Sequence, residues 1–133
     1  MRFLLDTNIL SNLIRYPQGR IADRIKIVGE SNICISIIVA AELRYGATKK
    51  ASPRLTAQVE AVLGVIETLA VDSPADEIYG AIRAQLELAG TPIGGNDLII
   101  AAQAVALDLT LVTDNDKEFS RVEGLRVENW LRD

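Results

Sequence analysis

The chain has 133 residues, 49% hydrophobic and 24% charged, with a formal net charge of −4. That length buries one core, here taken as a single domain over residues 1–133, and the composition excludes a disordered chain. Histidine is absent and Cys34 is alone, which removes histidine-based triads, an internal disulfide, and zinc or iron–sulfur centres.

RFLL reads as a short strand that ends on Asp6. A helix follows from about Thr7, with Ile9, Leu10, Leu13 and Ile14 on one stripe, and Pro17 and Gly19 break it. Ile21, Ile25 and Val28 mark a second helix that stops near Gly29, and the β-branched run NICISI marks a strand. VAAELRYGA reads as helix, weakened toward its end by Gly46. Ser52-Pro53 suits a cap with proline in the first turn, opening an amphipathic helix through Leu55, Val59, Val62, Leu63 and Ile66.

TLAVD is a short strand, and Ser73-Pro74 repeats the cap signal before a helix with Ile78, Ile82 and Leu86 that ends at Gly90. TPIGGN is a loop in which Asn96 caps the next helix. DLIIAAQAVAL is apolar nearly all round and predicts that this helix is buried. TLVT is a strand, DNDKEF a turn or short helix, and LRVEN a last strand. Strands alternating with helices predict an α/β three-layer sandwich, its central sheet mainly parallel.

No apolar run reaches the ~20 residues that span a bilayer, and Asp6 interrupts the opening residues before a signal core forms. A cytoplasmic setting is the expectation. Any resident metal needs oxygen ligands, which favours Mg²⁺, with Mn²⁺ as an alternative. A calcium loop beginning at Asp114 fails, because Phe119 stands where glycine is required and Leu125 where glutamate is required.

Four acidic places carry the candidate chemistry. Asp6 lies just past a strand, where ligands of open α/β sheets bind, but Asp6, Thr7 and Asn8 are also good helix caps. Glu42 sits among Ala40, Ala41 and Leu43; it either faces water or points inward with a partner, since a lone buried carboxylate is costly. Asp97 follows two glycines and opens the apolar helix, where the helix dipole favours a negative charge. Thr113-Asp114-Asn115-Asp116 follows another strand and also suits a turn. Each has a structural explanation; together, if the strands are parallel neighbours, they converge on one pocket. Crowded carboxylates raise one another's pKa, and a divalent cation relieves them. Such a pocket without histidine suits phosphodiester hydrolysis, with 5′-phosphate and 3′-hydroxyl products. Cations to hold a nucleic acid would come from Arg44, Lys49 and Lys50, with Arg54, Arg15, Arg20, Arg24 and Lys26 as further candidates.

LLDTNIL, ISIIVAAELRYGA, IGGNDLIIAAQA and TLVTDNDKEFSRVEGLRVENW, in this order, make the chain resemble PIN-domain proteins over essentially its whole length. Within that family it is similar to the VapC-type toxin ribonucleases of bacterial toxin–antitoxin pairs. The resemblance implies a metal-dependent endoribonuclease with catalytic Asp6, Glu42, Asp97 and a fourth member in TDND. The family's fourth acid falls on Asn115, with Asp116 beside it; Asp116 is taken as the catalytic one. Asp6 and Asp97 are taken as the metal ligands, and Thr113 orients the cluster, supported by Asn115, Thr7 and Asn8. A homodimer and a VapB-type antitoxin partner are implied as well. The competing readings are a phosphoaspartyl phosphatase, which wants a second acid where Asn8 stands, a receiver domain, which wants its acceptor acid on a middle strand where neither SNICISI nor TLAVDS offers a clustered site, and a non-catalytic binding module.

Overall fold

Short, mostly apolar segments make the centre of the molecule. The computed structural model describes residues 2–132, and its first strand, β1 (Phe3–Leu5), is buried along its whole length. So are β2 (Ile33–Ser36) and β4 (Thr110–Val112). Strands buried on both faces read as continuous apolar runs, the pattern of a parallel sheet covered by helices on either side. The sheet is completed by β3 (Glu67–Leu69) and β5 (Arg126–Glu128), in the order β3-β2-β1-β4-β5. All four pairings are parallel, with Phe3 opposite both Ile33 and Thr110. β1 therefore has a neighbour on each edge, and the chain leaves β1, β2 and β4 at the same end of the sheet.

The helices are α1 (Thr7–Arg15), α2 (Arg20–Val28), α3 (Ile37–Lys50), α4 (Pro53–Leu63), α5 (Ala75–Leu88), α6 (Gly95–Ala106) and the short α7 (Asp116–Phe119). α6 buries Leu98 and every residue from Ile100 to Ala104, as its all-round apolar sequence predicts. Gln103 is the polar exception: its Nε2 donates to the Leu69 and Ala70 carbonyls just where β3 ends.

Boundaries differ from expectation in places where backbone chemistry decides. Ser52 caps α4 by accepting from Leu55 N, with Pro53 in the first turn, but Ser73 does not repeat the device. Pro74 is itself the cap residue of α5 and no side chain caps that end. The strand expected over residues 68–72 is Glu67–Leu69. α6 begins at Gly95 with Gly94 as its cap, two residues earlier than Asn96 capping would allow, so Asp97 is the third residue of the helix. Gly46 does not end its helix; α3 runs on to Lys50 and stops at Ala51, whose φ is 50°. Ile35 has no solvent exposure in β2. Ile35→Val should cost about 1 kcal/mol, the usual loss for one buried methylene, read as a lower denaturant midpoint at unchanged slope.

Candidate functional site

Asp6 continues the sheet by one residue, its backbone N–H donating to the Val112 carbonyl at 2.9 Å. Thr113 does the same beside it, donating to Glu128 O at 3.0 Å. The first polar side chains past β1 and β4 are thereby fixed as neighbours. Thr113 Oγ1 donates to Asp6 Oδ2 at 2.8 Å, and Thr7 N donates to Asp6 Oδ1 at 2.8 Å. Asp6 thus caps α1, as its residue type allows, and also has its second oxygen held. It is 5% exposed. Burial pushes its pKa up and the Glu42 charge adds to the rise, against the lowering by its Thr113 and Thr7 hydrogen bonds.

Glu42 comes from α3, which starts directly after β2, with Ser36 capping it by accepting from Ile38 N. Periodicity leaves the direction of Glu42 open. Thr7 Oγ1 donates to Glu42 Oε1 at 2.8 Å, which turns the carboxylate toward the end of β1. Asp97 enters from the first turn of α6. A methyl group at Gly94 would sit 3.8 Å from Asp97 Oδ2, so the glycine leaves one side of that oxygen bare. Partial burial, then the charges of Asp6, Glu118 and Glu42 in that order, push Asp97 up to about 6.

Glu118 lies outside the set of acids that the sequence singles out, and its charge is one of those that raise Asp97. It lies on α7, and its Oε2 accepts from Asn115 Nδ2 at 2.7 Å. Asn115 N in turn donates to Thr113 Oγ1 at 3.0 Å, so a chain of hydrogen bonds joins Asp6, Thr113, Asn115 and Glu118. Asp116 takes a different direction. Its Oδ1 accepts from Asn129 Nδ2 and pairs with Arg132, and these partners hold it below the usual carboxylate range, Asn129 foremost. Asp116 is not among the charges that raise Asp97. Asn8 is exposed, and its Oδ1 accepts from Asp114 N at 3.2 Å, tying α1 to the loop after β4.

Three of the cations expected to meet a polyanion separate in the structure. Arg44 bonds Glu60 through Nε and an η nitrogen, both at 2.9 Å, and Lys49 lies 5.9 Å from the Tyr45 ring centroid. Lys50 lines a cleft of about 600 Å³ between α1, α3 and α4 that also contains Thr7 and Glu42.

Among the described residues no three acidic side chains are already drawn into a ring tight enough to enclose an ion. The donor set nonetheless fits a hard divalent ion: all donors are carboxylate oxygens, Asp6 and Glu42 are pinned, and the bare Asp97 is pushed up by burial and by three neighbouring negative charges.

Residues 3–125 match the family described as PIN domain. The tRNA(fMet)-specific endonuclease VapC of Salmonella typhimurium is 40% identical over 131 residues, which cover 98% of each chain. Ribonuclease VapC2 of Rickettsia felis is 38% identical over 132 residues, again 98% of each. Among solved structures, DNA-bound VapBC from Salmonella typhimurium superposes with a TM-score of 0.91 at 40% identity, covering 98% of both chains. VapBC2 from Rickettsia felis bound to a promoter DNA fragment gives 0.89 at 36% identity, covering 98% of this chain and 99% of that one.

Proposed function

The chain belongs to the PIN-domain family, and from that premise we propose that it is a Mg²⁺-dependent endoribonuclease, the toxin of a toxin–antitoxin pair. One observation carries the site assignment: hydrogen bonds from Thr7 and Thr113 gather Asp6, Glu42, Asn115 and Glu118 past the carboxyl end of the sheet, and the nearby negative charges push Asp97 up. Relatives named as VapC ribonucleases, and neighbours solved as VapBC complexes, support the activity and a VapB-type antitoxin as partner. The working unit is a homodimer of a single domain, acting in the cytoplasm. Among the described residues no helix is long and apolar enough to cross a membrane.

Asp6 and Asp97 would hold the ion, with Glu42 and Glu118 completing the negative surround. Mn²⁺ satisfies the same oxygen ligands. When bound, the ion supplies an acidified water and neutralises charge on the phosphate oxygens. The protein's part is placement. Asp6 is fixed by hydrogen bonds to both oxygens and cannot swing. Thr7 keeps Glu42 turned inward. Asp97 sheds its proton on taking up a cation, so occupancy should rise with pH through about 6. Water adds to phosphorus as the P–O3′ bond breaks, and O3′ leaves with a proton, giving a 5′-phosphate and a 3′-hydroxyl.

Total RNA incubated with the protein should be cleaved with Mg²⁺ and left intact with EDTA, with mapped ends carrying 5′-phosphates. Cleavage indifferent to EDTA, or none under either condition, would overturn the reading. Growth should stop on expression and resume when the neighbouring gene is co-expressed. Thr7→Val removes one hydrogen bond to a half-buried carboxylate, worth about 1 kcal/mol, so cleavage should slow roughly fivefold. Thr7→Ser, which keeps the hydroxyl, should recover most of that rate.

A further inference from the structure

The arginines Arg44, Arg83 and Arg126 are each paired with a carboxylate: Glu60, Glu87 and Asp108. The cleft between α1, α3 and α4 is different. Its walls carry Arg15, Lys50 and Arg54, and among the described residues none of the three forms an ion pair. All three are exposed, and Arg15 lies 5.8 Å from the Tyr16 ring centroid. Thr7 and Glu42 line the same cleft, so it meets the acidic cluster at Glu42. The wall is opened further by Gly46, where an added Cβ would meet nothing within 4 Å.

Resting on the ribonuclease reading, we propose that this cleft is the track for the sugar–phosphate backbone of the RNA strand beside the scissile bond. Arg15, Lys50 and Arg54 each take a phosphate. A site that gathers carboxylates repels a polyanion, so the cations that seat the strand must stand beside the cluster and not inside it. Unpaired cations meet a phosphate without first giving up a carboxylate partner. Arg44, held on both donating nitrogens by Glu60, lacks that advantage. Contacts to phosphates fix position and carry no base information, so the cleft contributes affinity and register whatever the target sequence.

The test is fluorescence anisotropy of a labelled 12-nucleotide oligouridylate with the full chain, in EDTA so that nothing is cut, across about 50 to 200 mM salt. Neutralising three phosphate contacts in Arg15→Gln/Lys50→Gln/Arg54→Gln should flatten the logarithmic salt slope by about 2, which is roughly 20-fold of affinity over that range. With Mg²⁺ the same variant should raise KM with kcat nearly unchanged, because these contacts are equal in ground and transition states. Arg83→Gln, on α5, should match the wild type in both assays. Gly46→Phe should weaken binding by filling the cleft, and thermal melting checks that it folds. Wild-type affinity and slope in the triple variant would overturn the proposal, as would a wild type that does not bind the probe. So would a triple variant that keeps its RNA affinity but no longer captures the product of the neighbouring gene, since the cleft would then dock a protein. Absence of cleavage by the wild type strikes the ribonuclease reading separately, because the binding assay does not depend on turnover.

Discussion

Asp97→Asn should do two opposite things: extinguish cleavage and make the metal-free protein more stable at pH 7. The folded pKa of Asp97 is pushed up to about 6 from an ordinary 3.8, first by burial and then by Asp6, Glu118 and Glu42. The folded state therefore holds this proton more tightly than the unfolded chain, and stability falls as pH climbs from about 4 to about 6. Above that window the ionised group is a standing cost. A proton held about a hundredfold more tightly corresponds to roughly 3 kcal/mol, but the side chain is only partly buried and solvent screens it, so about 1–2 kcal/mol is expected. Asparagine keeps the shape and discards the charge. Melting in EDTA should rise by several degrees at pH 7, and the gain should vanish at pH 4, where the wild-type acid is neutral in the folded state. Added Mg²⁺ should raise the melting point of the wild type and not of the variant. Cleavage should drop about a thousandfold or more, since several kcal/mol of charge stabilisation goes with the ligand. A variant that melts no higher than wild type at pH 7, or that still cuts RNA at a comparable rate, would remove Asp97 from the proposed centre.

The middle of the sheet is legible because β1, β2 and β4 are short, mostly apolar and buried throughout. RFLL, ICIS and TLV can only be buried, and helices between them leave parallel pairing as the natural arrangement. Asp6 and Thr113 were legible for the same reason, as the first polar residues past β1 and β4. What local sequence does not encode is rotation. Glu42 has buried Val39, Ala40 and Leu43 around its turn of α3, and its direction is decided by Thr7, 35 positions away in the chain. The start of α6 was misplaced because Asn96 is the better capping residue by type, whereas the backbone turns helical directly after Gly94. Ser73 failed as a cap for a related reason: the helix opens one residue after Pro74, so the serine stands outside capping reach.

Rotation also separates the two acids of α7. Residues two apart on a helix project about 200° from one another, so Asp116 and Glu118 cannot face the same way on α7. Phe119, with no exposure, anchors that turn in the core; Glu118 falls inward beside Asn115, and Asp116 falls outward to Asn129 and Arg132. Glu118→Gln should therefore cut Mg²⁺-dependent cleavage by roughly 10- to 100-fold, mostly as a higher Mg²⁺ requirement, the usual loss when a group flanking a metal ligand is changed. It should also lower the pKa of Asp97, because one of the charges that raise it is gone, and the titration of the Asp97 side-chain carbon by NMR would register this without any turnover. Asp116→Asn should leave cleavage within about twofold and the Asp97 titration unmoved, its loss being an exposed pairing with Arg132. Asn115→Ala, which frees Glu118 from its amide tether, should fall between the two and show its deficit mainly at limiting Mg²⁺. Equal losses from Glu118→Gln and Asp116→Asn would mean that α7 rotates when the ion binds and brings both acids into play. A deficit confined to Asp116→Asn would instead return the fourth position to the acid that the sequence alone had favoured.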